Sequence, residues 1–415
     1  MQRVEKNWTA KNFYEEISAD ILKKAGDKKV FLLVSGGVDS TVLFALLNKV
    51  LGQDRVLGLH VDSGLMRQGE SADILEYMKK NGFDNLHIYN AESDFLGKLA
   101  GVFAPEQKRE IIGNEFFEVK SKAQEKLSLN TDEWLVAQGT IYPDVIETGN
   151  KNAGKIKTHH NRVDMVVELI EKGLVIEPLV SLYKDEVREL GEYLGIPREL
   201  VWRHPFPGPG LGVRCLCSNG KADGEISQKD KDSLKKIAEE NGFSAISLPI
   251  RSVGVKDGAR TYAHPAVVFG KYDYNNLEKL ASEITSKTES VNRVAFSLFS
   301  ECGDGQYSLK EGYCTKERLD KLRAIDKIVN SVIIAAGEYE KIWQMPVVLL
   351  PVVNSKGNET VVLRPINSKD AMTAKFYDLS QTIIDEIIKK SREIAGIGDI
   401  LLDITHKPPG TIEWE

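Results

Sequence analysis

Val30-Phe31-Leu32-Leu33-Val34-Ser35-Gly36-Gly37-Val38-Asp39-Ser40 decides the reading of this chain: a continuous apolar run meets two adjacent glycines flanked by hydroxyl side chains, and an apolar-periodic stretch follows from Thr41 to Leu51. That order predicts a strand, a tight glycine turn and a helix. Such a turn leaves backbone N–H groups without partners at a helix N-terminus, where the macrodipole favours negative charge. Gly36 and Gly37 let the backbone approach a ligand closely, and Ser35 and Ser40 add hydroxyl donors. Glycine-rich strand-to-helix turns also occur as bare connectors in α/β proteins. The chain has no G-x-x-x-x-G-K-[ST], so no lysine of a Walker loop is available here.

Working outward, Phe13–Lys24 reads as an amphipathic helix, and Val30–Val34, Val56–Val61 and Leu86–Tyr89 read as short apolar strands separated by helical patterns. Trp134–Gln138 and Leu174–Glu177 are further strand candidates, and Lys184–Tyr193 is a helix stopped by Gly195 and Pro197. This alternation predicts a parallel sheet covered on both faces, with ligands at the carboxyl ends of its strands. Ser35–Ser40, His60–Asp62 and Gln138–Asp144 all fall at such ends.

Residues 204–214, His-Pro-Phe-Pro-Gly-Pro-Gly-Leu-Gly-Val-Arg, hold three prolines and three glycines in eleven positions and read as a domain junction. Two domains are expected, 1–205 and 206–415. The second reads as α+β, with helices at Lys231–Asn241, Lys316–Ala336 and Tyr377–Ile394 and strands at Ala295–Phe299, Val347–Val353, Thr360–Arg364 and Asp399–Ile404.

A chain of 415 residues with 42% hydrophobic content has ample material for sizeable cores. The formal charge of −6 gives no basic footprint, which argues against a dedicated nucleic-acid binder. Residues 1–20 lack the apolar core of a signal peptide, and no run approaches membrane-spanning length, so a cytoplasmic protein is expected. The four cysteines, Cys215, Cys217, Cys302 and Cys314, are too few for a disulfide scaffold. In a strand Cys215 and Cys217 would share a face, which leaves zinc open, but there is no C-x₂-C pair to support it.

Three further segments carry chemistry. Gln138-Gly139-Thr140-Ile141-Tyr142-Pro143-Asp144-Val145-Ile146-Glu147 sets two carboxylates three residues apart. If a helix starts after Pro143, Asp144 and Glu147 share a face and can hold Mg²⁺ against phosphate oxygens; they also suit a helix's first turn without any ligand. Gly149–Arg162 combines flexible residues with four cationic side chains and the pair His159-His160, and reads as a phosphate-closing lid or as a solvated basic loop. Lys184 is either an ordinary helix residue or a phosphate ligand.

SGGVDS resembles the PP-loop of ATP pyrophosphatases, which cut ATP between the α and β phosphates. With VDSGLMR, EQKREIIG, QGTIYPDVIE, IKTHHN, KDEVREL, RHPFPGPGLGVR, QMPV and the terminal KPPGTIEWE, the order of motifs resembles the ATP-pyrophosphatase part of the GMP synthase family over essentially the whole chain. The resemblance implies an adenine-nucleotide alpha-hydrolase-like (Rossmann-like) domain followed by an α+β dimerisation domain of the longer eukaryotic type. It also implies a homodimer that aminates xanthosine 5′-monophosphate to GMP through an adenylated intermediate, with ATP and Mg²⁺, releasing AMP and pyrophosphate.

Residue by residue, it implies that Ser35, Gly36, Gly37, Val38, Asp39 and Ser40 hold pyrophosphate with Gly139 beside them, and that Val61 lines the adenine pocket. Asp39, Asp144 and Glu147 would serve the metal and the adenylation step, and Lys157, His159, His160 and Lys184 would close on phosphates. Arg109, Gln344, Lys407 and Glu413 match positions that bind the purine nucleotide; Asp257 stands one position before the family's aspartate, and either reaches the same ligand from there or that contact is lost.

The chain departs from the family at two places. Relatives show V-G-V-x-G-D-x-R where this sequence has Val253-Gly254-Val255-Lys256-Asp257-Gly258-Ala259-Arg260, and they commonly carry arginine where Asp399 stands. A carboxylate there would repel a substrate phosphate unless turned away. The 34 residues before the loop hold neither cysteine nor histidine, so ammonia is expected from solution or from a separate glutaminase subunit. The competing expectations are a PP-loop ligase acting on a different purine nucleotide or nucleoside, and a tRNA-modifying PP-loop enzyme.

Overall fold

The computed structural model describes residues 8–126, 132–147, 172–222, 224–256, 259–303, 305–368 and 372–415. Lys157, His159, His160 and Asp257 lie outside them, as does the side chain of Glu147.

The apolar run before the glycines becomes β1 (Lys29–Leu33), which follows α1 (Ala10–Ala25) and leads into α2 (Val38–Leu51). Next come β2 (Val56–Asp62), α3 (Glu70–Lys80), β3 (Leu86–Asn90), α4 (Glu92–Leu99), α5 (Pro105–Lys126), β4 (Trp134–Ala137), α6 (Tyr142–Glu147), β5 (Val175–Ile176), α7 (Lys184–Tyr193) and α8 (Arg198–Val201). The five strands form one sheet in the order β3-β2-β1-β4-β5 with every pair parallel. Chain order reverses beside β1, so the crevice beyond the carboxyl ends of β1 and β4 is the switch point at which open α/β sheets bind ligands.

Alternation along β1 explains the two faces. Val30 and Leu32 join a large core with Ile21, Phe44, Leu47, Val187 and Leu190 from α1, α2 and α7. Phe31 packs on the opposite face with Leu59 and Val136. Helix α2 is buried at most of its positions, Ser40 and Thr41 included, which explains why its sequence is apolar nearly all round.

The described residues gather into two compact units, Met1–Glu92 with Asn114–Pro205, and Ser93–Gly113 with Phe206–Glu415. In the second unit the proline- and glycine-rich segment contains a 3₁₀ turn at Gly210–Val213. Beyond it lie β6 (Ser218–Asn219), α9 (Gln228–Glu240), β7 (Ser244–Ser247), β8 (Ser252–Lys256), β9 (Ala259–Phe269), α10 (Tyr274–Lys287), β10 (Val291–Ser300), β11 (Ser308–Leu309), β12 (Glu311–Gly312) and α11 (Lys316–Ala335). The last elements are β13 (Val347–Val353), β14 (Glu359–Leu363), β15 (Ile366–Asn367), β16 (Lys375–Phe376), α12 (Gln381–Ser391) and β17 (Ile397–Asp403).

A mixed sheet runs β11-β13-β14-β17-β10-β9-β7, with β8 paired to β9. Strands β9 and β10 are parallel, as are β14 and β17, and the remaining pairs are antiparallel. The helix expected from Tyr377 begins at Gln381, with Ser380 at its N-cap. Among the described residues no helix is long and apolar enough to cross a membrane.

Candidate active site

In the first unit, Gly36 adopts a left-handed φ of 82°. A Cβ there would lie 2.9 Å from Ile74 Cδ1 and 3.4 Å from His60 Cε1, so the position favours glycine for both conformation and space. Gly37 caps α2 without a side-chain hydrogen bond, and the Thr41 N–H bond to the Gly37 carbonyl at 3.1 Å is the first of the helix. The N–H groups of Val38, Asp39 and Ser40 precede that bond and form the donor end of the helix. Ser35 Oγ accepts from the Gly37 N–H at 3.2 Å and lies 3.0 Å from Ser40 Oγ, which itself donates to the Gly37 carbonyl at 3.1 Å. The two serines thereby hold the loop open in one shape.

His60, at the end of β2, is fully buried. Its Nδ1 lies 2.7 Å from the Val34 carbonyl and its Nε2 lies 2.9 Å from Ser71 Oγ. The ring fastens the strand end beneath the glycine turn, while Val61 keeps partial exposure.

Lys184 reaches the loop from another element. Its Nζ donates to both carboxylate oxygens of Asp39, at 2.8 and 2.7 Å, with both side chains partly exposed. A capping box, in which Glu186 accepts from the Tyr183 N–H at 2.7 Å, fixes the turn that carries the lysine. Gly139 is also brought to the loop: a Cβ on it would stand 3.5 Å from the Asp39 carbonyl carbon and from the Ser40 nitrogen.

Helix α6 starts at Tyr142, one residue before Pro143. Asp144 Oδ2 accepts from the Ile141 N–H at 3.0 Å, so this carboxylate closes its own helix start, the capping use weighed above. Among the described residues there is no cluster of three metal-ligating side chains. Mg²⁺ at such a loop needs only one or two carboxylates, the rest of its shell coming from phosphates and water; here Asp39 is paired with Lys184 and Asp144 closes the start of α6.

In the second unit Arg109, Lys407 and Glu413 lie on or against residues 407–415, while Gln344 sits on a separate bridge and Asp257 lies outside the described residues. The 407–415 segment runs along β8, the Val255 N–H donating to the Pro409 carbonyl at 2.7 Å and the Val253 N–H to the Trp414 carbonyl at 2.9 Å. Arg214, fully buried, donates to both oxygens of Glu413 at 3.1 and 2.9 Å. Burial opposes the Arg214 charge, but Glu413 outweighs it and raises the guanidinium above its usual range. Arg109 donates to Glu106 at 2.9 Å and to the Glu415 carbonyl. Lys407 is bridged through its backbone to Ala374, and Gln344 to Ile366.

What holds this segment was not visible as function in the sequence. Arg293 donates to Asp403 at 2.8 Å, to the carbonyls of Val253, Thr411 and Glu413 at 3.0, 3.0 and 2.7 Å, and to Thr411 Oγ1 at 2.6 Å. Arg364 donates to the Ile412 and Thr405 carbonyls at 3.0 and 3.1 Å and pairs with Asp403 at 2.7 Å. Arg293, Arg364, Asp403 and Trp414 are all fully buried. Burial would raise the Asp403 carboxyl, yet Arg364 and then Arg293 hold it below the ordinary carboxylate range.

Asp399 turns out to be structural. It is buried at the start of β17, where Tyr307 and Asn354 donate to its two oxygens at 3.1 and 2.9 Å. Lys407 follows the other end of that strand, so this carboxylate is spent within the sheet.

Comparison with known proteins agrees with both halves. The sequence profile of the GMP synthase C-terminal domain matches residues 331–414, and that of NAD synthase matches residues 12–109. A probable glutamine-hydrolysing GMP synthase of Leptospira interrogans serovar copenhageni is 43% identical over 421 residues, covering 99% of this chain and 68% of that protein. The corresponding proteins of Caenorhabditis elegans and Prochlorococcus marinus are each 35% identical, and this chain spans 66% and 62% of their lengths. Among solved structures, NMN synthetase from Francisella tularensis is loosely similar, at 17% identity and a TM-score of 0.35 over 50% of this chain and 79% of that one. With 43% identity sustained across nearly the whole chain and two thirds of the Leptospira protein, the chain belongs to the GMP synthase family.

Proposed function

We propose that this chain catalyses ATP-dependent amination of xanthosine 5′-monophosphate to GMP. The C2 carbonyl oxygen of the purine attacks the α-phosphorus of ATP and pyrophosphate leaves; ammonia then adds at C2 and AMP departs. An amide-like oxygen is a poor leaving group, and esterification by AMP makes it a good one. The observation that carries the reading is the glycine turn of Ser35–Ser40, with its helix N-terminus and the Asp39–Lys184 pair beside it.

In this reading Ser35, Gly36, Gly37, Val38 and Ser40 receive the departing pyrophosphate, which gains charge as the bond breaks. Gly139 leaves room beside them, and Val61 packs against adenine. Lys184 exchanges the Asp39 carboxylate for phosphate oxygens, which frees Asp39 to act with Asp144 and Glu147 toward Mg²⁺. Bound Mg²⁺ supplies neutralisation of phosphate charge. Lys157, His159 and His160 close over the phosphates.

Arg109 and Lys407 suit the 5′-phosphate of the purine nucleotide, and Asp257 and Gln344 suit its polar edges. Glu413, held in place by the two Arg214 hydrogen bonds, accepts from the base. Ammonia reaches this region from solution or from a glutaminase centre outside it. The active form is a homodimer in the cytoplasm.

The deciding experiment incubates the protein with ATP, Mg²⁺ and ammonium against a panel of purine nucleotides and nucleosides, reading AMP and pyrophosphate. Stoichiometric AMP, pyrophosphate and GMP with xanthosine monophosphate is expected. Turnover with another purine but none with xanthosine monophosphate would overturn the assignment.

A further inference from the structure

Three of the four cysteines meet in the second unit, and none of them is given a part in the proposed amination. Cys215 and Cys217 follow the 3₁₀ turn and lead into β6, and Cys314 follows β12, the antiparallel partner of β6. Cys217 Sγ lies 3.8 Å from Cys314 Sγ, and the two sulfurs lie 3.4 and 3.8 Å from the same carbonyl, that of Cys215. Cys215 and Cys314 are buried, whereas Cys217 keeps partial exposure.

Two buried cations bracket the thiols. Lys108 donates to the Cys215 and Gly212 carbonyls at 2.9 Å each and pairs with Glu415 at 2.5 Å. Arg318 donates to the Leu216 carbonyl at 2.9 Å and to Glu359 at 2.7 Å. Hydrogen bonds from Cys215 and Cys314, and then the charges of Lys108 and Arg318, hold the Cys217 thiol well below the ordinary range despite its burial. The Cys314 thiol, hydrogen-bonded with Cys215 and Cys217 and buried, is pushed up. One partly exposed sulfur, Cys217, thus stands 3.8 Å from one buried sulfur, Cys314, the arrangement of an attacking cysteine with its resolving partner. Among the described residues the sulfurs do not form a metal-holding group.

We propose that Cys217 and Cys314 form an oxidation site at which a hydroperoxide drives formation of a disulfide between them. The Cys217 thiolate attacks the terminal peroxide oxygen, the O–O bond breaks, and the alkoxide or hydroxide leaves and takes a proton. The resulting sulfenic acid is attacked by Cys314 sulfur, which gives up its proton as the hydroxyl group departs as water. Two thiols and one hydroperoxide become one disulfide, one alcohol (water, for hydrogen peroxide) and one water, two electrons passing from sulfur to oxygen. The bond joins the two chain segments at the end of the β6–β12 ribbon.

The test uses the whole reduced chain, titrated with hydrogen peroxide, alkylated, digested and read by mass spectrometry. The expected product is a Cys217 peptide linked to a Cys314 peptide, reversed by dithiothreitol and formed about 10-fold or more faster than oxidation of Cys302. In C314S, a dimedone adduct at Cys217 replaces the linked pair. A linkage of Cys217 to Cys215, or oxidation no faster than at Cys302, overturns the proposal. Because C314S can disturb the core, iodoacetamide labelling of the unmodified chain is a second measure. Cys217 is expected to keep most of its pH 8 labelling rate at pH 6, while a free small-molecule thiol loses about 100-fold; an equal loss at Cys217 overturns the proposal as well.

Discussion

Arg293→Met tests whether the C-terminal segment is held from beneath by buried charge. The substitution removes the donor shared by the carbonyls of Val253, Thr411 and Glu413; the Thr411 hydroxyl, placed to donate to Val253 at 3.0 Å or Glu413 at 2.5 Å, has one proton and satisfies one of them, so two are left facing an apolar side chain. Each buried acceptor left unpaired costs about 1–3 kcal/mol. Asp403 is not orphaned, because Arg364 at 2.7 Å, the Thr405 N–H at 2.9 Å and the Trp414 indole N–H at 2.9 Å remain, and removing the guanidinium also removes its desolvation cost. The balance is about 3–5 kcal/mol, within the range for breaking one side of a buried ion pair. For a unit of roughly 200 residues this corresponds to a fall of about 6–20 °C in melting temperature. Glu413 belongs to the same segment, so KM for xanthosine monophosphate should rise about 10-fold or more while KM for ATP stays within about twofold. Denaturation followed by circular dichroism, with steady-state kinetics on the same preparation, measures both. A loss under about 1 kcal/mol with an unchanged KM for the purine would refute the anchoring role.

Gly36→Ala places a Cβ against Ile74 at a left-handed φ; the strain alone is about 1–2 kcal/mol, and pyrophosphate release should fall about 100-fold, as for a lost transition-state donor. A variant with full turnover would show that the loop does not need this shape. Lys184→Ala breaks a pair that is partly exposed, so stability should change by no more than about 1 kcal/mol, whereas turnover should fall about 10²–10³-fold; the reverse pattern would make Lys184 structural. Asp403 is held below its unfolded value, so its stabilisation is fully present above about pH 4 and is lost as pH falls through the lower folded value. Acid titration of the second unit should therefore show a limb below about pH 4 that moves upward in Arg293→Met; identical acid limbs would contradict the pairing.

The first unit was legible because its strands are short apolar runs bounded by glycine, and because β1 and α2 are so deeply buried that little else dilutes the pattern. The second was less so. Strands β7, β8 and β9 and helix α10 went unread: β9 carries Pro265 in its interior, and its first half is exposed and polar, both of which weaken a strand signal. Pro265 nevertheless pairs with Arg293, its carbonyl accepting from the Leu248 N–H. The terminal motif was legible as a motif, but Arg293 and Arg364 look like ordinary surface charges in one dimension. Only the fold brings them under it. The same limit made Asp399 look like a threat to a substrate phosphate, since nothing in the sequence marks Tyr307 and Asn354 as its partners.

The central claim is that the purine's own C2 oxygen is esterified by the α-phosphate of ATP. Xanthosine monophosphate labelled with ¹⁸O at C2, incubated with this protein, ATP, Mg²⁺ and ammonium, tests it most directly through the mass of the nucleotide products. The account predicts one ¹⁸O in each AMP formed and none in pyrophosphate or GMP. Unlabelled AMP, with the isotope in pyrophosphate or released to water, would contradict it.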